Sequence, residues 1–123
     1  MTRGMSGDFV RARIERSLEL LASSAADQQE YLERLGSAPS VDELALELDD
    51  FVPMLPAAVR DGVLSEYQAA AIRQVSELTT SFSGAENAAL WRVDQLASAW
   101  QWNEVRKLAQ AALRMLRGER AKD

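Results

Sequence analysis

The side chains of this chain that are best suited to chemistry are carboxylates, because the sequence contains neither histidine nor cysteine. Histidine is the commonest general base and transition-metal ligand, and cysteine supplies disulfides, thiolate metal sites and thiol nucleophiles. Two pairs of acids have the three-residue spacing that puts both members on one helix face, namely Glu30 with Glu33 and Glu47 with Asp50. Carboxylate oxygens are the preferred ligands of hard cations such as Mg²⁺, which activate water and hold phosphates.

The segment from Gln29 to Asp50 resembles the EExxE…ExxD arrangement of the all-helical MazG-type nucleotide pyrophosphohydrolases. The resemblance implies four acids on two adjacent helices that hold Mg²⁺ against a triphosphate. The chain departs from the family's pattern at Gln29, where a ligand carboxylate is expected, and the periodicity of its helix turns Glu30 and Glu33 outwards. We therefore keep Mg²⁺-dependent hydrolysis as an alternative, and we predict no catalytic residue, no metal and no cofactor.

A second predicted helix, from Val41 to Asp61, carries the densest acidic surface of the chain. Its carboxylates surround Leu46, an apolar residue that lies off the core-facing stripe, and this arrangement is typical of a binding hot spot inside a charged rim. Pro53 is expected to kink or break the helix, and if it only kinks it, Met54 extends the same surface. The predicted partner-binding residues are Asp42, Glu43, Leu46, Glu47, Asp49, Asp50 and Met54.

The acidic surface has a plainer interpretation. Acids in a first turn complement the helix dipole, later ones keep a surface helix soluble, and single exposed leucines are common. The charge distribution nevertheless favours a basic partner or self-association, since ten acids stand against two bases from Asp27 to Glu66, and seven bases against three acids from Arg92 to Lys122. The net charge of −5 argues against a nucleic-acid partner.

Helical periodicity runs through the whole chain, and no stretch alternates with the period of a strand. A chain of 123 residues that is 47% apolar is expected to form one domain with one core. We predict an all-α, single-domain bundle of about five helices over residues 7–118, with a flexible leader at 1–6 and a flexible tail at 119–123. The chain lacks an apolar run of the roughly 20 residues that span a membrane and an N-terminal signal peptide, so we expect a cytoplasmic protein without membrane contact.

The first predicted helix runs from about Asp8 to Leu35, and Gly36 ends it. A strict four-three spacing joins Ile14, Leu18, Leu21, Ala25, Gln28, Leu32 and Leu35. This pattern fits a coiled-coil dimer with Gln28 as its polar register residue, and it equally fits packing against an antiparallel helix of the same chain. We favour the intramolecular packing, and hence a monomer, because sustained coiled coils repeat the pattern over more heptads. A homodimer is the alternative.

Ser-x-x-Glu or Ser-x-x-Gln capping boxes are predicted at the starts of the later helices, with Ser40, Ser65, Ser83 and Ser98 as the N-cap residues. The three later helices are predicted to end near Phe82, Ala97 and Arg117. Trp102 falls on the buried stripe of the last helix. Trp100 points about 160° away from Trp102 on that helix, so it must either wedge against the preceding helix or be exposed.

The second half of the chain contains Asn87-Ala-Ala-Leu-Trp91 and Trp102-Asn-Glu-Val-Arg106-x-x-Ala109-x-x-Ala-Leu113. In these segments it is similar to small helical bacterial immunity-type proteins, which are acidic antidotes encoded beside toxin domains. The resemblance implies neutralisation of a cognate toxin and carries over no catalytic residue. We therefore expect a non-enzymatic inhibitor of a basic protein partner, whose acidic helix mimics a phosphate backbone. A dimeric helical scaffold or regulatory protein is a further alternative.

Overall fold

The computed structural model describes residues 2–36 and 40–118, with only the backbone at 2–6. Helices make up most of this part of the chain, which contains no strand, so the all-α prediction is confirmed. The predicted count of about five helices is wrong, because the described residues form seven α-helices and two short 3-10 helices. The α-helices are α1 Thr2–Ala22, α2 Ala25–Arg34, α3 Glu43–Phe51, α4 Leu55–Arg60, α5 Glu66–Ser81, α6 Gln95–Ser98 and α7 Trp100–Leu116. The 3-10 helices are Val52–Met54 and Ala85–Trp91.

The predicted long first helix is two helices, since the chain breaks at Ser23 and Ser24. The Ser23 hydroxyl donates to the carbonyl of Leu20 (2.6 Å), and the Ser24 hydroxyl accepts from the backbone N–H of Asp27 (3.1 Å). One serine therefore binds the end of α1 and the other caps the start of α2. Of the residues assigned to a leader at 1–6, those from Thr2 onwards belong to α1, and the predicted tail at 119–123 lies outside the described residues.

The four-three pattern crosses this break and still faces the core. Ile14, Leu18, Leu21, Gln28 and Leu32 are buried within the chain, whereas Leu35, at the end of the pattern, is exposed. The apolar stripe is therefore used for intramolecular packing, as the sequence predicts. The oligomeric state itself stays a prediction.

Only one of the four predicted capping boxes forms. The hydroxyl of Ser65 accepts from the backbone of Gln68, and the amide oxygen of Gln68 accepts from the backbone of Ser65. The boxes at the other three serines are wrong. The hydroxyls of Ser83 and Ser98 instead donate back to carbonyls four residues earlier, a competing bond that serine side chains make readily. The hydroxyl of Ser40 accepts from Asp42, one residue too early for the predicted box.

Two other departures from the predicted helices have local causes. The predicted second helix begins at Glu43 rather than Val41, and at Pro53 it passes through the 3-10 helix Val52–Met54, so the predicted kink or break is confirmed. The predicted helix that ends near Ala97 is wrong, because that part of the chain forms the 3-10 helix Ala85–Trp91 and the single-turn α6.

The core lies among α1, α3, α5 and α7. Helix α7 runs antiparallel to α5, because Gln68 at the start of α5 donates to the carbonyl of Met115 at the end of α7 (3.1 Å). It also runs antiparallel to α1, since Gln110 in α7 donates to the carbonyl of Ala22 at the end of α1 (3.1 Å), while Arg11 in the middle of α1 donates to the carbonyl of Leu116 at the end of α7 (2.6 Å). Among the described helices, none is long and apolar enough to span a bilayer.

A polar network joins the two halves of the bundle through Gln28, which is fully buried. Its amide nitrogen donates to the carbonyls of Leu20 and Leu21 (3.1 Å each), at the end of α1. Its amide oxygen accepts from the guanidinium of Arg106 (3.0 Å), which also donates to the carbonyl of Leu96 (2.9 Å). Burial lowers the pKa of Arg106 from its ordinary value, because the charged form loses hydration.

Replacing buried leucines of the four-three pattern by alanine is expected to destabilise the chain. Leu21→Ala and Leu32→Ala should each lower the free energy of unfolding by about 2–5 kcal/mol, because each leaves a cavity in the core. Leu35→Ala, at an exposed position of the same pattern, should cost less than about 1 kcal/mol. Urea denaturation measures all three. Equal small effects would contradict the intramolecular packing.

The glutamine network predicts a difference between two neighbouring amides. Gln28→Ala should cost about 2–4 kcal/mol of unfolding free energy, since it removes a fully buried side chain together with its bonds to the carbonyls of Leu20 and Leu21 and to the Arg106 guanidinium. Gln29→Ala removes a single exposed bond, to the carbonyl of Val93, and should cost less than about 1 kcal/mol. Thermal and urea unfolding compare the two variants, and similar stabilities would rule out the network as a structural requirement.

Candidate functional site

Helix α3 positions most of the residues that the sequence predicts for partner binding. Its buried side, formed by Leu44, Ala45 and Leu48, packs into the core and holds the helix in place. The opposite side exposes Leu46, with 48% of its surface accessible, and the following 3-10 helix exposes Met54, with 45%. Of the acidic residues predicted for the site, Glu47 alone is half-buried, while the other members are exposed, namely Asp42, Glu43, Asp49 and Asp50.

The acids of α3 do not form a single surface, because they lie on two sides of Leu46. Asp42 and Asp49 face a groove, as described below. Glu43, Glu47 and Asp50 share the other side of the helix, by their spacing of four and three residues. The predicted site is thus divided into a groove side and a side towards α1.

The side towards α1 already holds a cation. Arg13 of α1 donates from Nε to the Glu47 carboxylate (2.6 Å), and its terminal nitrogen lies 2.5 Å from the same oxygen. The guanidinium also lies over the ring of Phe9, with its carbon 5.5 Å from the ring centroid. Glu47 is therefore a member of an intramolecular ion pair, which the sequence prediction of a free rim charge missed. The residues that neighbour Glu47 in the sequence do not indicate this pair, because its two members are 34 positions apart.

The groove side is built from α3 and from the segment that follows α5. The groove has a volume of about 510 Å³. One wall comes from the start of α3 and the residues just before it, and the other from the 3-10 helix and the turn that leads into it. The lining residues are Ser40, Asp42, Ala45, Leu46, Asp49, Ser83, Gly84, Ala88 and Trp91. Gly84 allows the turn, because its φ of 102° lies in the left-handed region that favours glycine.

Trp91 is held rigidly in the wall of this groove. Its indole N–H donates to the carbonyl of Phe82 (2.8 Å), and its ring packs on Phe82 with centroids 5.4 Å apart. Its other neighbour is the buried Trp102, whose ring meets it edge-on with centroids 4.9 Å apart. Trp102 is core, as predicted, and Trp100 is exposed, with 66% of its surface accessible. The sequence singles out Trp91 but does not indicate the groove.

Charges at the groove are only partly compensated within the described part of the chain. Asp49 accepts a hydrogen bond from the Ser76 hydroxyl (2.9 Å), which is neutral. Among the described side chains, those of residues 7–36 and 40–118, no ion pair involves Asp42, Glu43, Asp49 or Asp50. Three carboxylates on this short helix and a fourth just before it therefore leave a negative potential around Leu46.

The hydrolase-like acids do not meet in the described residues. Glu30 and Glu33 are exposed on α2, which packs against α6. Glu47, on α3, is bound by Arg13. Within the ranges that the structure describes, no group of three or more acids is arranged to hold a metal ion. The geometry gives the hydrolase alternative no ligand set, and the absence of enzymatic activity stays a prediction.

A second groove, of about 550 Å³, lies between α4 and α5. Its lining combines apolar residues with Arg60, Arg73 and Glu66. Arg60 is 3.9 Å from the carboxylate of Asp61. Because both cations and an acid line it, this groove has no single electrostatic preference. No pattern in the sequence indicates this second groove.

Comparison with known proteins gives no indication of the function. No protein-family model matches the chain, and no match to it is found among curated proteins or solved structures. The resemblances to MazG-type hydrolases and to immunity-type proteins therefore stay predictions.

Two leucines of α3, two positions apart, should respond differently to truncation. Leu46→Ala is expected to change the free energy of unfolding by less than about 1 kcal/mol, because the side chain is half exposed. Leu48→Ala, on the buried side, should cost about 2–5 kcal/mol. Urea denaturation followed by circular dichroism measures both. A large loss for Leu46→Ala would mean that Leu46 serves the core, and would remove it as a binding residue.

Proposed function

We propose that this chain is a non-enzymatic protein-binding module that docks a basic protein partner on the exposed surface of α3. The most specific form of the proposal is an immunity-type inhibitor that neutralises a basic toxin. The observation that carries the proposal is Leu46, a half-exposed leucine surrounded by carboxylates of which, among the described side chains, only that of Glu47 is paired with a cation.

The energetic roles of the apolar and charged groups differ. Burying Leu46 against a partner removes apolar surface from water, which favours a long-lived complex. The carboxylates act at a distance, because opposite charges accelerate the encounter of two proteins and screening by salt weakens that effect. Leu46 is therefore expected to govern dissociation, and the surrounding acids association.

Rigidity favours binding by this surface. The buried side of α3 packs into the core, so its exposed residues require little further ordering when a partner docks. Preorganisation of this kind lowers the entropic cost of association. The alternative of a coiled-coil dimer through the four-three stripe receives no support, since Ile14, Leu18, Leu21 and Leu32 are all buried inside the chain.

Binding kinetics test the proposal once affinity capture with the wild-type chain has supplied a partner. Asp42→Asn combined with Asp50→Asn should slow association and flatten its salt dependence, because both remove exposed charge. Leu46→Ala should leave association nearly unchanged and accelerate dissociation, at a cost of about 1–3 kcal/mol in binding free energy. Equimolar wild-type chain should also abolish the partner's activity if the chain is an inhibitor.

The control is Tyr67→Ala, which truncates an exposed aromatic residue at the start of α5, with 80% of its surface accessible. It should change neither rate, because it lies outside the proposed surface. Unchanged rates for the α3 variants as well would exclude this surface and direct attention to the exposed Trp100. Charge reversal of Glu47 is unsuitable as a test, since it would place two cations together at Arg13.

A further inference from the structure

We propose that the groove between α3 and the 3-10 helix Ala85–Trp91 is the binding site for arginine side chains of the partner. The inference rests on the proposed function, and it adds which side of α3 the partner covers and which residue it inserts. The occupant is an arginine-bearing segment of a basic protein.

The charges of the groove are placed for a pair of cations. Asp42, the residue before α3, and Asp49 both line it, and their separation of seven residues corresponds to about 10.5 Å along the helix axis. Ala45 and Leu46 lie between them. A row that is acidic at its ends and apolar in the middle suits side chains that have a long aliphatic stem and a charged head, because the stem covers the apolar part while the head reaches a carboxylate.

The opposite wall provides an aromatic surface. Trp91 lines the groove, and tryptophan is the aromatic residue that attracts cations most strongly through its ring. Its bond to the carbonyl of Phe82 and its packing on Trp102 fix the indole before any ligand arrives. Ser83, Gly84 and Ala88 are small, and they leave the groove open beside it.

Arginine fits these walls better than lysine. Its guanidinium is planar, so it can stack on an indole, and it donates two parallel hydrogen bonds to one carboxylate. A lysine ammonium is a strongly hydrated point charge that lacks both options. The volume of about 510 Å³ falls within the usual range of ligand pockets, which leaves room for side chains together with part of the backbone that carries them.

The other side of α3 is a poorer site for the same ligand. Its central carboxylate, that of Glu47, is bound by the chain's own Arg13. An incoming guanidinium would have to displace Arg13 from both Glu47 and the ring of Phe9. The two acidic sides of α3 therefore differ, because the chain's own Arg13 binds the carboxylate of Glu47 on the side towards α1.

Peptides of defined spacing test the inference. The first probe is an alanine-rich helical peptide with two arginines seven residues apart, which puts them on one face with the spacing of Asp42 and Asp49. The second has the same composition with the arginines five residues apart, on different faces. A third replaces both arginines by lysine. The first should bind most tightly, by calorimetry, and should shift the indole N–H resonance of Trp91 in NMR spectra.

Matched variants locate the binding. Asp42→Asn with Asp49→Asn should weaken the first peptide by about tenfold or more, whereas Glu43→Gln with Asp50→Asn, which removes the same charge, should weaken it by less than about threefold. A second pair avoids the acids altogether. Ala88→Arg places a competing guanidinium in the groove and should also weaken binding, while Ala89→Arg, at an exposed neighbour that does not line the groove, should not.

Each other outcome overturns a stated part of the argument. Equal weakening by the two acid pairs, or equal affinity for the first two peptides, would show diffuse attraction and would overturn the groove while leaving the proposed function intact. The same holds if no peptide binds at low salt but partner kinetics still depend on Leu46. If no peptide binds and the α3 variants leave the partner's binding kinetics unchanged, both proposals fail. Circular dichroism checks that each variant is folded.

Discussion

The side-chain amide of Gln28 is the interaction on which the arrangement of the bundle depends. The last carbonyls of a helix have no partner within it, and inside a protein such groups are costly unless something donates to them. Gln28 meets this need at Leu20 and Leu21, and its oxygen receives the guanidinium of Arg106. This one buried residue of α2 therefore binds carbonyls at the end of α1, which stops at Ala22. Through Arg106 it also links α1 and α2 to α7.

The groove wall opposite α3 depends on the same principle of side chains bound to backbone carbonyls. The segment from Ala85 to Ser98 contains only a 3-10 helix and a single turn of α-helix, so several of its carbonyls are bound by side chains. Trp102 donates to Leu90 (2.7 Å), Trp91 donates to Phe82 and Arg106 donates to Leu96. These bonds fasten the segment to α5 and α7, and they give an otherwise irregular wall a fixed shape.

Sequence reasoning succeeded where the cause was local or periodic. The four-three stripe, the kink at Pro53 and the box at Ser65 each follow from neighbouring residues. It failed at the other serines, because a hydroxyl can bind forwards to cap a new helix or backwards to the preceding turn, and tertiary packing decides which. At the candidate site, periodicity predicted the exposed residues of α3. It could not predict the Arg13 partner of Glu47 or the groove, since both join distant parts of the chain.

The position of the acids on α3 argues against a purely solubilising role. A helix dipole favours acids in the first turn, and this accounts for Glu43. Asp49 and Asp50 lie in the last turn, which contains no basic residue, and there a negative charge opposes the dipole by about 0.3–1 kcal/mol each. Solubility alone could be achieved by lysine at the same positions without that cost. The basic partner proposed above would bring cations to this end of the helix and would offset the penalty.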